Sequence, residues 1–132
     1  MTSPGQARLF RQRGRWKVAE LTMEIDVRDQ SWVVRSKKSA DLLKHEQGHF
    51  DIHGIIVGRD LVDPVKALRA RSQGRLAAAL RRMLQRAQRR AQQMTDQYDR
   101  DTNHGLNEER QAAWDSQISN AVANNEPLTA PD

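Results

Sequence analysis

Apolar and polar residues alternate without a fault from Leu21 to Val27 (Leu-Thr-Met-Glu-Ile-Asp-Val), which predicts a half-buried strand. Arg28 to Ser31 has the composition of a turn and Trp32-Val33-Val34 that of a second strand, so the pair predicts a hairpin. The period then changes. Leu42, His45, His49, Ile52 and Ile56 share one arc of a helix, and Leu43, Phe50 and Val57 widen it. Lys44, Gln47 and Asp51 point the other way. Ser39 is placed to cap this helix, and Asp41 suits its first turn. Pro64 disfavours helix in the residue before it and predicts a break or kink across Asp60 to Pro64.

A long helical stretch follows, to about Arg100. Leu76, Leu80, Met83, Ala87, Ala91, Met94 and Tyr98 form its apolar seam, and Arg75, Arg82, Arg86 and Arg89 lie opposite. Gly74 falls midway between His49 and Tyr98. A reversal there gives two arms of equal length, roughly 37 Å each at 1.5 Å per residue, and returns the second arm to the first. Thr102 to Gly105 stops the helix, and Asn107 to about Val122 predicts a shorter one with Trp114, Ile118 and Val122 apolar.

These elements predict one small α+β domain over 16–123, a β-hairpin packed on a helical bundle. Residues 1–15 are expected to be a flexible lead, and 124–132 a disordered tail. The chain of 132 residues suffices for a single modest core. It has no cysteine, so disulfides and thiolate sites are excluded and a metal must be held by His, Asp or Glu. No apolar run approaches a membrane span, and the Arg-rich start has no export signal. The net charge is +5, but residues 64–93 carry nine basic side chains and no acidic one, which leaves the rest of the chain net acidic.

His45-Glu46-Gln47-Gly48-His49 is an H-E-x-x-H pattern on the predicted helix. Residues four apart stand one turn above each other, so both imidazoles can be aimed at one point, as a zinc ion requires. Glu46 lies about 100° round the helix, where it can act as general base on a zinc-held water. Three of the four histidines fall between positions 45 and 53. The alternative is a helix with two ordinary histidines satisfied inside the core.

The candidates for a third ligand are His53, His104 and the nearby acids. His53 rides the same helix about 12 Å from His45 along the axis and cannot reach the same ion. That leaves His104, in a segment that must turn and that a reversal near Gly74 brings back to the motif.

Leu42 to Ile52, taken with Tyr98-Asp99-Arg100-Asp101-Thr102-Asn103-His104-Gly105-Leu106-Asn107 and Gln111-Ala112-Ala113-Trp114, resembles a family of small bacterial proteins. They are described as predicted secreted zinc-dependent proteases, with a domain of otherwise unknown function. The resemblance runs from about Trp16 to Ile118. It implies zinc ligands at His45, His49 and His104, a base at Glu46, and supporting roles for Tyr98 and Asp101. Tyr98 could donate a hydrogen bond to a tetrahedral intermediate, and Asp101 could orient a ligand histidine. Tyr98 also has the simpler role of ending the apolar seam.

The expectation is a zincin-like metallopeptidase acting on a peptide or protein substrate. Two rivals stand beside it: a nucleic-acid or anionic-surface binder using the Arg stripe, and a zinc-holding module without hydrolysis. Nucleic acid is disfavoured because no aromatic residues interleave the stripe, and a purely structural site has no use for the free carboxylate of Glu46. The resemblance implies a periplasmic or secreted protein, whereas the polar, Arg-rich start reads as lacking an export signal and leads to the expectation of a cytoplasmic alternative. Localisation and oligomeric state are left open.

Overall fold

The computed structural model describes residues 2–25 and 40–132. Strands β1 (Thr2–Gln12) and β2 (Arg15–Ile25) form an antiparallel hairpin. Its register runs from Gln12 opposite Arg15 to Thr2 opposite Ile25, with irregularities between Ser3 and Gln6 and between Arg8 and Leu9. Arg13 and Gly14 both have positive φ (53° and 76°), which matches the twist of a two-residue hairpin turn.

This corrects one expectation and leaves another outside the described residues. Residues 1–15, expected to be a flexible lead, contain β1, and the predicted strand from Leu21 pairs with β1. Trp32-Val33-Val34, its expected partner, lies outside the described residues. A two-stranded ribbon with one wet face tolerates many charges, and here they pair across it. Arg8 meets Glu20 at 3.3 Å, and the Lys17 ammonium sits 5.8 Å from the Phe10 ring centre. β2 is tied to the body through Trp16, which exchanges backbone bonds with Ala70, and through Val18 and Leu21, which pack on Val65, Leu80 and Leu84.

Helix α1 (Ala40–His53) runs into a wide turn at Gly54–Gly58 and a tight one at Arg59–Leu61 before α2 (Val62–Ala67). The break therefore starts ahead of Pro64. The proline lies in the first turn of α2, where its missing N–H leaves no bond unmade. The chain then extends to Ser72, whose hydroxyl caps α3 (Gln73–Thr102) by accepting from the Arg75 amide. The reversal thus falls just before Gly74.

Helix α3 buries Leu76, Leu80, Leu84, Ala87, Ala91, Thr95, Tyr98 and Thr102. The expected seam is right at its ends but shifted at two places: Leu84 replaces Met83 and Thr95 replaces Met94. Expected and observed seams share the eleven-residue repeat Leu76, Ala87, Tyr98 and differ only in which neighbour fills the intervening turn. Thr95 is admitted because its hydroxyl donates to the Gln92 carbonyl within the helix. Arg75, Arg82, Arg86 and Arg89 are exposed on the far side.

Helix α4 (Glu108–Asn124), capped by Asn107, buries Gln111, Trp114, Ile118 and Ala121. Val122, expected on that face, is exposed. The main core joins Ile52, Ile55, Ile56 and Val57 to Ala87, Ala91, Tyr98, Trp114 and Ile118. The tail, 124–132, expected to be disordered, closes this core instead. Leu128 is 1% exposed, and the Arg59 guanidinium donates to the carbonyls of Ala121 and Glu126. One apolar side chain with a groove to fill and a cation to satisfy the backbone suffices to fix it. Among the described residues, no helix is long and apolar enough to cross a membrane.

Candidate metal centre

Helix α1 meets the C-terminal end of α3 and the first turns of α4 at His45. One ligand-capable atom from each of His45, Glu46 and His49 lies within 4.8 Å of the others. The i, i+4 spacing does this on its own, since it sets the two rings one turn apart. Their planes stand at 85° with centres 5.0 Å apart. Both Nε2 atoms converge on a single oxygen that comes from α3. Asp99 Oδ1 is 2.9 Å from His45 Nε2 and 2.7 Å from His49 Nε2.

Close approach of α3 to α1 depends on Gly48. A Cβ there would stand 2.1 Å from the Tyr98 hydroxyl oxygen and 2.6 Å from Cζ. Tyr98 stacks on His45, with ring centres 4.5 Å apart at 12°, and takes Trp114 edge-on at 5.2 Å. Its hydroxyl donates to the His45 carbonyl at 2.9 Å and accepts from Gln111 Nε2 at 2.7 Å. On the other side, Gly105 lies against His45: a Cβ would come within 2.9 Å of the histidine Cβ, and its φ of 88° favours glycine in any case.

The tautomer of His45 follows from the groups behind it. Asp115 Oδ1 can only accept, so the Gln111 atom 3.0 Å away is its amide nitrogen. Gln111 Oε1 therefore faces His45 Nδ1 at 2.9 Å, and that nitrogen must carry hydrogen. A neutral His45 then directs its Nε2 lone pair at a carboxylate oxygen. Two acceptors at 2.9 Å repel unless a proton or a cation lies between them. Burial works against charge on His45, but its bonds to Asp99 and Gln111 outweigh it and raise the pKa. For Asp99, burial favours the neutral acid, yet the two histidine bonds hold the carboxyl well below the ordinary range. Two imidazoles and the Asp99 carboxylate offer a donor set of hard and borderline ligands suited to a divalent cation, with the Glu46 carboxylate beside the two histidines.

His104 is brought back by the helix reversal, but its side chain is 77% exposed and its Nδ1 stands 4.0 Å from Asp99 Oδ1. His53 lies a further turn along α1 and outside the His45–Glu46–His49 group. Tyr98 is fully buried, with its hydroxyl held between His45 and Gln111, so it positions the motif helix from behind. Burial also pushes its phenol pKa far up. Asp101 accepts from the Trp114 indole at 3.1 Å and from Arg110 at 3.5 Å, and it anchors α4. The carboxylate on the histidines is Asp99, two residues earlier. Asp99 and Gln111 were missed in the sequence. Each had a signal: an acid in the last turn of a long helix opposes the helix dipole, and Gln111 continues the buried spacing of Trp114 and Ile118.

No curated protein and no solved structure matches the chain at a significant level. A family described as bacterial proteins of unknown function (DUF922) matches residues 12–105. The matched span holds the histidine pair, Glu46, Asp99 and His104, and it stops short of Gln111. Covering more than two thirds of the chain, the match makes this protein a member of that bacterial family.

Proposed function

We propose that this protein is a zinc-dependent hydrolase of peptide bonds, with His45 and His49 among the metal ligands and Glu46 as general base. The observation that carries the proposal is the meeting of His45, Glu46 and His49 atoms within 4.8 Å, from one helix turn. Zinc bound there would supply a Lewis acid and bring the deprotonation of water near neutral pH. The chain itself moves the proton. Glu46 takes it from the attacking water as the carbonyl carbon–oxygen bond forms, and returns it to the leaving amine as the carbon–nitrogen bond breaks. Tyr98, Gln111 and Asp115 hold His45 in the required tautomer from behind.

A polypeptide substrate is supported by the face of α1 that carries Glu46. Leu43 and Phe50, one turn either side of the base, are 46% and 41% exposed and offer apolar side chains an adjacent ledge. Resemblance to predicted secreted zinc-dependent proteases points the same way. The test is Glu46→Gln, which removes the base and leaves the ligands. It should bind zinc like the parent and hydrolyse a casein or peptide-library substrate at least about 100-fold more slowly. Hydrolysis at the parental rate would remove Glu46 from the chemistry.

A further inference from the structure

We propose that Asp99, rather than His104, completes the metal ligand set with His45 and His49, and that His104 stands outside it. This rests on the metal-centre reading above and assigns its third position.

Proximity comes first. Asp99 Oδ1 already sits 2.9 and 2.7 Å from the two Nε2 atoms. Tetrahedral ligands at about 2.0–2.1 Å from one zinc are roughly 3.3 Å apart, so each histidine–Asp99 separation needs to open by only about half an ångström. His104 would have to bring a largely exposed ring in past Asp99, from which its Nδ1 is 4.0 Å away, and lose its side-chain freedom.

Charge is the second argument. Asp99 and Asp101 both occupy the last turn of a helix of 30 residues, the end where the backbone dipole disfavours anions. Asp101 is answered by the Trp114 N–H and the Arg110 guanidinium. The side-chain partners of Asp99 are histidines, and the tautomer of His45 presents it with a lone pair. A dication resolves that opposition and the dipole together. Three protein ligands also leave a fourth position open, with Glu46 free to serve as base.

Support from the backbone is the third. The Asp99 carbonyl accepts from the His104 amide at 2.9 Å, which locks the end of α3. His104 itself sits on a left-handed backbone (φ 55°), and its side chain is 77% exposed.

The test is zinc titration against a competing chelator dye, using the full chain as parent, Asp99→Asn, Asp99→Glu and His104→Ala. Cobalt(II) absorption reports coordination, and thermal melting in chelator reports the fold. Asp99→Asn should keep the metal-free fold, because its amide can donate to a histidine lone pair. Removing a supporting group typically costs about 10–100-fold in affinity, so the loss in Asp99→Asn should exceed about 100-fold. Asp99→Glu, which restores a carboxylate, should recover part of it. His104→Ala should stay within about threefold of the parent, with its cobalt spectrum unchanged. A loss above 100-fold in His104→Ala, or parental affinity in Asp99→Asn, would overturn the assignment. If Asp99→Asn failed to fold, Asp99→Glu against His104→Ala would still rank the two positions. A parent that binds no zinc defeats the metal centre itself, a result distinct from either variant outcome.

Discussion

Replacing Gly48 with alanine tests whether the centre depends on the close contact of α1 and α3. In an open helix this change is favourable by about 1 kcal/mol, because glycine gives up more backbone freedom. Here the new Cβ would lie 2.1 Å from the Tyr98 oxygen and 2.6 Å from Cζ. Tyr98 cannot swing clear, since it is enclosed by Trp114 and His45 and its hydroxyl is bonded at both sides. Overpacking a tight core costs about 1–3 kcal/mol. Loss of the two hydroxyl bonds adds about 0.5–1.5 kcal/mol each. Against the helix-propensity gain, the net is a destabilisation of roughly 1–5 kcal/mol, with a midpoint near 3 kcal/mol that lowers Tm by about 10 °C for a domain of this size. Urea and thermal unfolding of the metal-free protein measure it. The sign should reverse in a Tyr98→Ala background, where Gly48→Ala gains up to about 1 kcal/mol. A parental-background Gly48→Ala as stable as the parent would refute the close packing on which the geometry of His45 depends.

The contrast between the two halves of the centre explains what the sequence can carry. His45, Glu46 and His49 are legible because four-residue spacing on a helix is a local property, set before any tertiary contact forms. The reversal near Gly74 is legible as well, because helix length converts directly to distance. Asp99 is hidden among 17 acidic residues, and only the docking of α3 on α1 selects it over Asp101. His104 drew the metal assignment because it is a histidine that the reversal returns to the motif, and what the sequence does not show is that its side chain stays 77% exposed. The seam of α3 shows a different failure. Thr95 looks polar in sequence, but its hydroxyl is satisfied inside the helix, so burying it costs little. β1 was missed because its alternation is masked by arginines on an exposed ribbon. Leu128 was missed because one apolar residue in a Pro-containing tail has no periodicity to reveal it.

Two further outcomes follow from the groups around His45. Gln111→Leu should lower zinc affinity by about 10–100-fold in chelator-competition titration, because it frees the tautomer that presents Nε2; affinity equal to the parent would show that Gln111 only fills space. The second outcome is opposite pH dependence with and without metal. In chelated protein, Asp99 has a depressed pKa, so its contribution is present above the ordinary carboxylate value of about 3.9 and is lost as pH falls below it. His45 has a raised pKa, so its contribution is complete below about 6.5 and is lost as pH rises through its folded value. Metal-free stability should therefore peak between about pH 4 and pH 6.5 and decline on both sides. Zinc requires the same imidazoles without their extra proton, so its stabilising increment should grow with pH across the interval where the metal-free protein weakens. Paired melting curves with chelator and with excess zinc, from pH 4 to pH 8, measure both trends. A metal-free Tm that rises from pH 6 to pH 8 would mean that no protonated His45 is held by Asp99, and the opposing lone pairs would need another explanation.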